Sequence, residues 1–147
     1  MRKRISVCFL LCAVLILAAC EKGTYRKILS AENGVAQSIG AATNIVGDLY
    51  DRQVIDREEK NAVASALLDA NRLLDSFNKG AKAVHAAGDS KAAYLTLVEQ
   101  LAVGVRSLNA SGTLRVKNGA AKAQIDALFA SIEGAIGILR VAIEGGK

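Results

Sequence analysis

Proline and tryptophan are absent from these 147 residues, histidine occurs once, and all three cysteines fall at or before position 20. Without proline no helix is broken by a missing backbone donor. Few aromatics, abundant Ala and Leu, and β-branched residues at helical spacing make this an all-α composition. With His85 alone and no thiol beyond Cys20, the usual transition-metal ligand sets and a Ser-His or Cys-His nucleophile pair lack their parts. His85 lies near a predicted helix end and reads as a partly exposed surface residue. Ser90 and Lys91 are neighbours in sequence and so do not face each other on a helix, which argues against a Ser-Lys pair. Tyr25, Tyr50 and Tyr94 read as packing residues with one wet end. The pattern implies no catalytic residues, no bound metal and no cofactor.

What the first residues do contain is informative. Arg2, Lys3 and Arg4 form a short basic head, and residues 5–19 follow as an apolar run. That is the plan of a secretory signal, and it is short of the roughly 20 apolar residues needed to span a bilayer. The stretch Leu17-Ala18-Ala19-Cys20 resembles the lipobox of bacterial lipoproteins. The resemblance covers residues 1–20 only. It implies cleavage after Ala19, with Leu17, Ala18 and Ala19 as the cleavage determinants, and acyl chains on Cys20 that hold the protein to a membrane, since each buried methylene contributes about 0.8 kcal/mol. Glu21, where an Asp would signal inner-membrane retention, points to the periplasmic face of an outer membrane if the host has two membranes. A rival cut after Cys20 would release a soluble protein.

Removing residues 1–19 takes away three of the 19 basic side chains and no acid, leaving 16 against 14. A nucleic-acid partner thereby loses its electrostatic support. Residues 20–24 are then a lipidated cysteine and short tether, and residues 25–147 one domain without a thiol to pair, held by packing.

Four amphipathic stripes follow. Ile28, Val35, Ala42 and Leu49, with Ile39 and Val46 between them, predict a helix over 24–51, interrupted only by Glu32. Asp56 with Glu59 three residues on reads as a capping box, opening a helix over 57–87 with Val63, Leu67, Ala70, Leu74, Phe77, Ala81 and Val84 inward. Gly88-Asp89 supplies a left-handed stop and a fresh N-cap. Tyr94, Val98, Leu101, Val105 and Leu108 mark a third helix over 90–109. Residues 110–118, with Ser111-Gly112, read as the longest connection, and Ile125, Phe129, Ile132, Ile136, Leu139 and Ile143 mark a fourth helix over 119–144. Short loops make neighbours antiparallel, so the expected architecture is an up-down, left-handed four-helix bundle, with helical hairpins forming a dimeric bundle as the alternative.

Three features invite a functional reading. The window 48–59 imitates a calcium loop, with Asp48, Asp56 and Glu59 at ligand positions, but Tyr50, Arg52 and Gln53 spoil it; Asp48–Arg52 and Asp56–Lys60 pairs account for the charges more simply. Gly34, Gly40, Gly47, Gly80, Gly104, Gly134 and Gly137 lie inside predicted helices, where close helix approach within the bundle is the first explanation and a small-residue face for another chain or lipid the second. Residues 127–143 carry only Glu133 and Arg140 as charges, so the fourth helix reads as the most buried, or else as a face for a partner.

In an up-down bundle tethered at Cys20, one end collects Lys22, Arg26, Lys27, Lys79, Lys82, Lys91 and Lys147. Such an end would be drawn to anionic headgroups and hold the domain upright on the membrane. Taken together, the sequence reads as a membrane-anchored, non-enzymatic envelope lipoprotein with a structural or protein-interaction role, a protein partner or homodimer being possible. A helical carrier for a small apolar ligand or lipid is the alternative.

Overall fold

A computed structural model describes side chains at residues 23–113 and 115–145. The cleavage and lipidation residues Leu17, Ala18, Ala19 and Cys20, together with Lys22 and Lys147, lie outside them. The chain forms α1 (Arg2–Asp51), α2 (Arg57–Ala86), α3 (Lys91–Thr113) and α4 (Gly119–Glu144). Each helix packs against two neighbours in the cyclic order α1, α2, α3, α4, and among the described residues no diagonal pair touches. That is an antiparallel four-helix bundle, as the stripes predict.

The core is those stripes. Ile28, Val35, Ile39, Ala42, Val46 and Leu49 of α1 are all buried, as are Ile125, Phe129, Ile132, Ile136, Leu139 and Ile143 of α4. Tyr94 and Phe129 are the largest side chains sealed from solvent, and they fill the bundle axis where a ligand chamber would have to be. Val84 and Leu108 are half-buried at the ends of their stripes.

The third helix runs a turn further than its apolar pattern. Ser111-Gly112, expected in a loop, is helical because Gly112 sits against α2: a Cβ there would lie 3.0 Å from the Ala66 methyl. Tertiary contact overrides the glycine penalty. The hydroxyls of Ser111 and Thr113 donate to the carbonyls of Leu108 and Asn109, satisfying acceptors in that last turn.

The corner between α1 and α2 is closed by the capping box. Asp56 Oδ1 accepts from the Glu59 amide at 2.9 Å, and the Asp56 amide donates to Glu59 Oε2 at 2.7 Å. Glu59 is buried, and its other oxygen accepts from the Lys117 amide at 2.7 Å, tying this corner to the α3–α4 connection. Lys117 Nζ donates to Asp56 Oδ2 at 3.1 Å. Asp56 therefore pairs with Lys117, and not with Lys60, whose ammonium lies 4.2 Å from the centre of the Tyr50 ring. Arg52 likewise meets Asp48 through a backbone hydrogen bond, its amide on the Asp48 carbonyl. Both Glu59 oxygens are taken by backbone donors, which removes the twelfth-position ligand from the calcium-loop pattern.

Two outcomes follow. Glu59→Ala orphans two amides and should lower unfolding free energy by about 2–4 kcal/mol in urea titrations, with Glu59→Gln losing less. The Asp56 carboxyl is held below its ordinary range, first by the Glu59 amide and then by the Lys117 ammonium. Its stabilisation is present above the unfolded-state value and is lost as pH falls through the folded one. Asp56→Asn should accordingly flatten the loss of stability below about pH 4, read as urea midpoint against pH.

Candidate functional site

Two surfaces stand out: the end where α1 enters the bundle, and the outward side of α4. At the first, Gly88 at φ 104 turns the chain out of α2, as its sequence implies. Asp89 follows at φ 57, and it is not the N-cap of α3. Ser90 takes that place, its Oγ accepting from the Ala93 amide at 3.4 Å, because the Asp89 carboxylate is engaged elsewhere. His85 Nδ1 lies 2.9 Å from both Asp89 oxygens, and Tyr94 Oη donates to Asp89 Oδ1 at 2.6 Å. Tyr25 stacks on His85 with ring centroids 4.1 Å apart and planes at 5°.

This knot joins the start of α1, the end of α2 and the start of α3. Tyr94 has no wet end: it is fully buried, and burial followed by the neighbouring Asp89 pushes its hydroxyl well above the ordinary tyrosine range, so it stays a donor. The function of the four groups is to pin three elements together. Sequence spacing placed His85 near a helix end, and its i,i+4 relation to Asp89 was the available signal of a pair.

The same end gathers the basic residues named from sequence. Arg26 and Lys27 on the first described turns of α1, Lys79 and Lys82 near the end of α2, and Lys91 at the start of α3 are all exposed. Lys91 Nζ also donates to the Glu144 carbonyl at 2.6 Å, which caps the C-terminal end of α4. Inside the bundle at this level, Asn78 donates to Glu32 at 2.7 Å, and burial raises the Glu32 carboxyl despite the nearby Lys82.

The second surface corrects the expectation that α4 is the most buried helix. Its apolar seam faces the core, but Ile138 and Val141 are 66% and 65% exposed on the opposite side. Ala123, Ala127, Ala130, Gly134, Gly137 and Val141 recur at four- and three-residue steps, and all six are exposed. Before Glu144 the helix carries four charged residues, Lys122, Asp126, Glu133 and Arg140, and each is half-buried at a flank and not on this outward row. Arg140 is paired with Glu99 and Glu133 with Arg106, both on α3. On the other flank a cleft of about 390 Å³ separates α4 from α1, lined by Ala31, Gly34, Ala135 and Ile138 with Lys27 at its rim. The adjoining stretch 33–47 of α1 has no charge at all.

The glycines divide into two sets. Gly80 and Gly104 serve close approach as expected, since a Cβ would meet Leu97 Cδ2 at 2.8 Å or Leu73 Cδ1 at 2.5 Å. Gly34, Gly40, Gly47, Gly134 and Gly137 do not: a Cβ at any of them meets nothing within 4 Å. They sit away from the apolar seams, where no neighbouring helix requires them. Each still costs about 1 kcal/mol relative to Ala.

Among the described residues no group of three or more His, Cys, Asp or Glu side chains could hold a metal, and no helix is long and apolar enough to cross a membrane. No family model, curated protein or solved structure matches this chain.

Replacing Gly134 and Gly137 by Ala should leave the helical circular-dichroism signal intact and raise the unfolding free energy of the isolated bundle by about 1 kcal/mol for each site.

Proposed function

We propose that this chain is a lipid-anchored bacterial envelope protein, held through acyl chains on Cys20, whose helical bundle is a non-enzymatic module for binding protein. The observation that carries the binding role is the outward row of α4: an uncharged, exposed strip of Ala, Gly and Val down a whole helix, where water-facing positions ordinarily carry charge. The anchoring role draws on the lipobox-like residues Leu17 to Cys20 and on the exposed Arg26, Lys27, Lys79, Lys82 and Lys91 at the end where α1 enters the bundle. Basic side chains there draw that end towards anionic headgroups, each contributing about 1 kcal/mol. A periplasm-facing outer-membrane position is consistent with Glu21 after the modified cysteine.

The carrier reading draws on the α1–α4 cleft, with Ala31, Gly34, Ala135 and Ile138 along its walls. A ligand there would lie between two helices at the surface, and lipid recovered by mass spectrometry from purified protein would favour this reading over the first.

The anchor has a direct test. Labelled palmitate should enter the processed protein in producing cells, and Cys20→Ala should abolish both label and processing; unlabelled but processed chain would sink the anchor. Separately, the bundle produced without residues 1–20 should float with anionic vesicles at low salt. Lys79→Glu with Lys82→Glu should weaken that binding by about fivefold or more for each position.

A further inference from the structure

We propose that the outward row of α4 is the contact between two copies of this chain, packed antiparallel about a two-fold axis near Ser131. This deepens the protein-binding reading, on which it rests, by naming the partner.

The row Ala123, Ala127, Ala130, Gly134, Gly137, Val141 is a heptad seam in its own right, on the side of α4 opposite the seam that fills the core. Small residues at every position let two helix backbones approach closely over about 27 Å of seam. The bundle itself gives no reason for glycine at 134 and 137, since a side chain there would meet open space. A second helix lying across them gives that reason.

The flanking residues choose the partner and the direction. In a heptad frame Asp126, Glu133 and Arg140 share the flank towards α3, and Gln124, Ser131 and Ile138 share the flank towards α1. Antiparallel helices bring like flanks together. In one register Ala130 packs against the partner's Gly134, Ala127 against the partner's Gly137, and Ala123 against the partner's Val141. The same register sets Asp126 beside the partner's Arg140 twice over, and Ser131 opposite the partner's Ser131. Self-complementary charge of this kind specifies a second copy of the same sequence. A parallel pair would set Asp126 against Ser131 and Glu133 against Ile138, with no charge matched.

The two-fold keeps α1 on the same side of both copies, with the two entry ends at opposite ends of the pair. Two anchors then reach one bilayer when the pair lies along it, which replaces the upright stance expected for a single tethered bundle.

The test uses the full-length chain in membranes of producing cells. Ser131→Cys, treated with a short bismaleimide, should give a cross-linked band of twice the chain mass that is absent from the parent carrying only Cys8, Cys12 and Cys20. Adding Gly134→Leu and Gly137→Leu should abolish the band while the purified bundle keeps its helical spectrum and thermal midpoint. Arg140→Asp should lower the cross-linked fraction by about tenfold, and Asp126→Arg in the same chain should restore it. No band above the parent, or a charge swap that fails to rescue, overturns the pairing. A palmitate-labelled chain that never cross-links but retains a different protein would overturn it while leaving the anchored binding role intact. A chain that cross-links without label would support the pair and fail the anchor alone.

Discussion

Burial of four apolar seams against one another is the interaction on which this structure depends. Residues 23–145 contain no cysteine, so no covalent bond restrains the unfolded chain. Each large aliphatic or aromatic side chain taken from water contributes about 1.5–3 kcal/mol. Twelve of the largest, led by Tyr94 and Phe129, are almost wholly sealed. The polar contacts act on this framework by fixing which ends meet. Glu59 joins the α1–α2 corner to the α3–α4 connection, and Asp89 joins α2 to α3 beneath the entering end of α1. One clasp stands at each end of the bundle, and both use a carboxylate because only that group accepts from several donors at once.

The seams were legible because helical periodicity is a local property. The six α1 positions from Ile28 to Leu49 and the six α4 positions from Ile125 to Ile143 follow from spacing alone, and so do the Asp56–Glu59 box and the turn at Gly88. What escaped depends on partners distant in sequence. Nothing near Glu59 indicates that the Lys117 amide will reach it. Nothing near Ser111-Gly112 shows that Ala66 leaves room only for hydrogen at that point, so a stretch with the composition of a loop becomes helix. The capping role assigned to Asp89 fell to Ser90 because His85 and Tyr94 compete for the same carboxylate.

The small-residue row of α4 was visible as letters and misjudged as packing. Gly and Ala at seven-residue spacing look alike whether a neighbouring helix lies within the bundle or outside it. The distinction rests on orientation: Gly104 and Gly134 are equally helical, yet one faces Leu73 and the other faces solvent. An interior glycine makes room for its own fold. An exterior glycine spends helix stability without any return inside the monomer, and this asymmetry turns attention from the core to the surface.

The stack of Tyr25 on His85 has a mechanical consequence. Any pull transmitted from the membrane side arrives along the axis of α1 and meets this aromatic pair before it reaches the apolar seam. Loading parallel to the helices strains many contacts at once in shear, whereas peeling α1 away sideways would break them one by one. Because Tyr25 is clamped at the point of entry, tension is steered into the first geometry, and the bundle resists as a block.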